Sequence, residues 1–240
     1  MKSLKVAKLN FDKIIKSVSI YYIVLITVMV LANYTSDNGN NSMSGLEITM
    51  IVFLFVCGLT SFKSNFYVAK SNGISRKSFI KGLIVSSLLL SFVVAIIDIS
   101  INRVINIFKV TPTMYDGIWG NYGMIENWTQ SNSVGTLCNT MLLQFSLYLM
   151  VYIVGIVISM IYYRCNKYMK IIVSLLPVAL VLFCSSANIG EFGFNFSINL
   201  DNILFYLTSF YYVILICLTI TIILIGAAFL LIRKAPIKER

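Results

Sequence analysis

The sequence predicts an all-α integral membrane protein with six spanning helices and both termini on the cytoplasmic side. Three observations carry that expectation. Of 240 residues, 58% are apolar and 12% charged, against about 25% charged in a soluble domain. The apolar residues gather into six runs, most near the ~20 residues that cross a bilayer as a helix. Finally, all but Arg103 and Lys109 of the 19 Lys and Arg residues fall in four short segments on one side of those runs. Retained cytoplasmic cations set orientation, so that side is the inner one. The net charge of +10 then belongs to an inner membrane face rather than to a nucleic-acid footprint.

Residues 1–17 form the first element. At 100° per residue, Leu4, Ala7, Phe11, Ile14, Ile15 and Val18 share one face. Lys2, Lys5, Asp12, Lys13 and Lys16 share the other, with Val6 and Leu9 as exceptions. This pattern predicts a basic amphipathic helix in the inner headgroup region; a basic tail that only orients the first span is the simpler alternative. No small-x-small cleavage pattern follows the apolar run, which therefore reads as a retained span.

The six-span domain covers residues 18–232, with spans over 18–34, 46–62, 80–101, 137–162, 169–188 and 204–232. The fourth and sixth exceed the usual length and should tilt or protrude. Pro177 lies inside the fifth and predicts a kink there. Continuous apolar runs, without in–out alternation, exclude barrel strands. A basic cytoplasmic tail, 233–240, ends the chain.

The outer connections carry Asp37, Glu47, Asp116, Glu126, Glu191 and Asp201. The longest also holds Tyr115, Trp119, Tyr122 and Trp128, which reads as an interfacial aromatic belt. The cysteines, Cys57, Cys138, Cys165, Cys184 and Cys217, have no ligand spacing and read as packing residues. No metal site is expected.

Several chemistries are excluded. Without histidine there is no Ser–His, Cys–His or His–metal machinery. Glu47 stands at the very edge of the second span, with the outer connection, and Asp98 is the one acid set further inside a predicted span, so paired-carboxylate hydrolysis has no second member. The phosphate-cradling GxxxxGK[ST] pattern is absent too. The chain is not expected to be an enzyme by itself.

Some polar positions could line a path. Ser87, Ser91 and Asp98 fall on one stripe of the third span, and Asn139, Gln144 and Ser146 lie in the fourth. An ionisable residue at membrane depth is a functional candidate, whereas serines commonly mediate helix packing. Gly155 and Ser159 form a small-xxx-small contact surface.

The inner connection before the third span has the most specific local chemistry. Ser71-Asn72-Gly73 supplies a turn, with glycine free to take positive φ, and Ser75 is placed to cap the next helix. Gly73-Ile74-Ser75-Arg76-Lys77, followed by Phe79 and Gly82, resembles the same connection in small type-2 permease subunits of ATP-binding-cassette transporters. The six spans, inward termini, basic N-terminal helix and overall length extend the likeness over nearly the whole chain. It is nearest to Gram-positive bacterial permeases that export drugs, bacteriocins or amphipathic peptides. The resemblance implies a cell-membrane dimer of six-span subunits, identical or related, driven by cytoplasmic ATPase subunits that carry the ATP and Mg. It also implies that the connection, with Ser71, Gly73, Ile74, Ser75, Arg76, Lys77 and Phe79, is the ATPase-contacting coupling loop, and that the N-terminal helix is a second contact. This chain departs from larger members in its short connection before the sixth span. A six-span scaffold, sensor or immunity protein, working without an ATPase, is the alternative.

Overall fold

The computed structural model describes residues 2–35, 46–107, 110–120, 129–165 and 209–233. Among them the chain forms six helices and no strand: α1 Lys2–Thr35, α2 Leu46–Ser71, α3 Arg76–Asn106, α4 Met114–Ile118, α5 Val134–Arg164 and α6 Phe210–Arg233. Four of these, α2, α3, α5 and α6, are long and apolar enough to cross a membrane. The protein is therefore an all-helical membrane protein. The expected fifth span, with Pro177, and residues 234–240 lie outside the described residues.

The helices run further than their apolar cores because caps, not hydropathy, end them. Ser75 and Ser133 are extended residues whose hydroxyls accept from Ser78 N and Thr136 N. They start α3 and α5 three or four residues before the apolar runs begin. At the other end, α2 carries on past residue 62 to Ser71, through the segment that holds Lys63 and Lys70.

The amphipathic helix expected over residues 1–17 forms, but not as a separate element. It continues without a break into the first apolar run as α1. Lys5, Lys8, Lys13 and Lys16 lie exposed on the polar face, as the spacing requires. The buried strip is rotated, however: it consists of Val6, Ala7, Asn10, Ile14 and Val18, while Leu4 is exposed. The reason is that α1 packs along α3, which supplies polar partners for Asn10.

Two long parallel seams organise the bundle. Along α1 and α3, partners recur at a separation of 76 residues, Asn10 with Ser86 and Tyr22 with Asp98. The four-residue ridge Val6–Asn10–Ile14–Val18–Tyr22 thus faces Gly82–Ser86–Leu90–Val94–Asp98, as ridge packing requires. Gly82 is needed there: a methyl on it would meet the Ser3 carbonyl at 2.7 Å. Along α2 and α5 the separation is 97, with Glu47 bonded to Gln144 and the Phe66 ring against Tyr163. Midway, Gly58 and Gly155 bring the two backbones into contact. Lipid gives helices no hydrophobic reason to associate, so close approach at small residues and polar contacts must hold them. Met50, Leu54, Leu90, Val94 and Tyr152 fill the core between the seams. α6 packs on α5 and leaves Ile222, Ile223 and Leu230 exposed.

Candidate functional site

α2 and α3 are joined by Asn72–Ser75 alone. Gly73 takes φ 64°, the left-handed conformation that glycine adopts without a Cβ penalty. Its N–H donates to Lys70 O (3.0 Å) and the Ile74 N–H to Ala69 O (2.9 Å), the paired bonds of a Schellman stop. Ser75 then caps α3, receiving the Ser78 N–H at 3.3 Å. Every step of this corner is tied by a local hydrogen bond, so it behaves as a stiff elbow.

The elbow exposes Ser71, Gly73, Ser75 and Lys77, and half-buries Ile74 and Arg76. Phe79, which the resemblance groups with the coupling-loop residues, is set apart from them by its surroundings. It is buried, with its ring 6.0 Å from Phe62 and 5.4 Å from Phe66. These rings and Tyr163 form an aromatic cluster across α2, α3 and α5. Phe79 anchors the elbow to the bundle instead of facing outward.

Two buried polar layers cross the bundle. In the first, Asn10 of α1 donates to Ser86 Oγ (2.7 Å) and Tyr152 Oη (3.0 Å). Its own carbonyl accepts from Asn65 of α2 (2.5 Å), whose Oδ1 accepts from Lys13 Nζ (3.1 Å). Four helices therefore meet on one fully covered asparagine. In the second layer, Asp98 accepts from the Tyr22 hydroxyl (2.6 Å) and from the Tyr148 hydroxyl. Glu47 accepts from Gln144 and from Met114 N.

The Met114 contact seats the short α4 on the bundle. Thr113 and Asp116 form a capping box there, and Gln130 donates to Asp116 at 2.7 Å and to Asn102 at 3.1 Å. Tyr115 and Trp119 pack on Phe210 of α6 at 5.3 and 5.5 Å. Tyr115 and Trp119, two of the four aromatics of the expected belt, thus tie the α3–α5 connection to α6; Tyr122 and Trp128 lie outside the described residues. Among the described residues no three acids or cysteines converge as metal ligands would.

The proposed path residues are only partly brought together. Asp98 and Gln144 lie in the second layer, where Tyr148 and Gln144 stand one turn apart on α5. Asn139 donates instead to the Tyr115 hydroxyl (3.2 Å). Ser87 turns back on its own helix, donating to Ile84 O (2.8 Å). Ser91 is fully covered, its hydroxyl without a partner among the described residues. Ser87, Ser91 and Gln144 are covered by the chain itself, so a passage along them requires α3 and α5 to separate.

Sequence reasoning missed Glu47, Tyr22, Tyr148, Asn10 and Asn65. One signal was available for Asn10: it continues the four-residue series Val6–Ile14–Val18–Tyr22. Comparison with protein families, curated proteins and solved structures finds no match to this chain.

Proposed function

We propose that this chain is a permease subunit of an ATP-binding-cassette exporter in a bacterial cell membrane, with six spans and both termini inside. It moves an amphipathic or hydrophobic substrate, such as a peptide, drug or lipid-like molecule, together with a second six-span subunit. ATP is hydrolysed on separate cytoplasmic subunits.

The observation that supports this reading best is the elbow at Asn72–Ser75. It is short, internally hydrogen-bonded, edged with cations, and joins one helix from each parallel seam. A push on such an elbow moves α2 with α5 and α3 with α1 as bodies, a rigid-body transition of the kind that couples distant sites. Separation of α3 from α5 then uncovers Ser87, Ser91, Asp98 and Gln144, the polar face that a moving substrate would meet.

The test is charge reversal at the elbow, Arg76→Glu with Lys77→Glu, in the chain co-purified with its ATPase. The expected result is normal insertion and folding, continued ATP hydrolysis, and loss of substrate export. Wild-type coupling in that variant, or full function with no ATPase partner, overturns the proposal.

A further inference from the structure

We propose that the trough between the start of α1 and the inner end of α2 is a seat for one anionic phospholipid. Two open cavities meet there. One, about 410 Å³, lies between the helices over an apolar floor that includes Val6, Leu9, Ala69 and Ile74. The other, about 420 Å³, runs along α1 and is edged by Lys5, Lys8, Lys13 and Lys16. Lys5 and Leu9 line both, so the two form one trough.

The occupant follows from the chemistry of the walls. Four ammonium groups face one carboxylate, Asp12, so the trough selects an anion. A free anion has no use for the apolar floor. An acyl-glycerol backbone does, and α2, which forms one side of the trough, is apolar enough to cross a membrane. A phosphate at the lysine edge with its glycerol over Leu9 and Val6 matches both walls. Lys13 is already drawn over α2 by Asn65, which leaves Lys5, Lys8 and Lys16, and Lys5 and Lys8 stand nearest the Val6 and Leu9 part of the floor for the headgroup. Asn72 and Ile74 of the elbow also line the trough, so the lipid would brace α1 against the element that receives force under the permease proposal. Lipid binding itself stands apart from that reading.

The full-length chain, without any ATPase, is reconstituted in nanodiscs of phosphatidylcholine with and without phosphatidylglycerol. Lipid retained on release is counted by native mass spectrometry. The expected result is one retained phosphatidylglycerol, weakened by rising salt and undisturbed by millimolar inorganic phosphate. Each lysine near an anionic headgroup is worth about a fivefold change. Lys5→Gln with Lys8→Gln should therefore weaken retention roughly 10- to 30-fold, while Lys77→Gln, outside the trough, leaves it unchanged. Both trough lysines are exposed, and a thermal melt in detergent verifies folding of the double variant. Equal retention of the two lipids, or full retention by the double variant, overturns the proposal. So does displacement by inorganic phosphate, which would mark a soluble-anion site. A negative result leaves the permease proposal standing, because no ATPase or transport enters the measurement.

Discussion

Along α2 and α5, contacts recur 97 residues apart and close to backbone distance at Gly58 and Gly155. Along α1 and α3 they recur 76 residues apart, and the seam is marked by polar rungs, Asn10 with Ser86 near one end and Tyr22 with Asp98 near the other. Both seams are parallel and long, and each has a glycine contact and a polar bond, as at Gly82 and at Glu47 with Gln144, but the balance of forces differs. Dispersion is steep in distance, so the glycine contact fixes how close α2 and α5 lie. Hydrogen bonds are directional, so the polar rungs fix how α1 is registered on α3. The first seam resists separation. The second resists sliding.

That contrast ranks the substitutions. Gly155→Ala should cost most, because its methyl would lie 2.6 Å from the Phe55 carbonyl oxygen and only backbone movement relieves it. A loss of about 3 kcal/mol is expected, the upper part of the overpacking range. Thermal unfolding in detergent reads it, with faster thiol labelling of buried Cys57 as a sign that this seam has opened. Asn10→Ala comes next. It strips partners from Ser86, Asn65 and Tyr152 at once, and unsatisfied buried groups should lower stability by about 2 kcal/mol. Labelling of Cys57 should change little, since the glycine seam is intact.

Gly73→Ala touches neither seam but loosens the elbow between them. No atom lies near enough to obstruct the new methyl, so the cost is the left-handed backbone alone, about 1 kcal/mol. Coupling to the proposed ATPase should suffer more than the melting temperature does. Tyr22→Phe should be mildest. It removes one of two donors to Asp98, and single hydrogen bonds between membrane helices average about 0.6 kcal/mol.

The sequence disclosed what depends on local chemistry. The described spans were legible as apolar runs, the elbow as a glycine that tolerates positive φ, and Ser75 as a hydroxyl positioned to cap. Asp98 stood out because a carboxylate at membrane depth is expensive. Its partners did not, since nothing local links Asp98 to residues 76 and 50 positions away. Gly155 was visible as a small contact residue, but Gly58 was lost inside an apolar run. The strip that α1 buries was misjudged because counting apolar residues cannot anticipate a polar one, Asn10, at the centre of the packing. Phe79 followed its motif neighbours on paper, while its bulk drew it into the aromatic cluster.

Force delivered through the elbow requires that the elbow face the cytoplasm. The most direct measurement places a single cysteine at the exposed Lys77 position, as Lys77→Cys in a chain whose other cysteines are replaced by serine, and applies a membrane-impermeant maleimide. Labelling only after the cells are permeabilised is the predicted result. Labelling in intact cells would put the elbow outside and contradict the account.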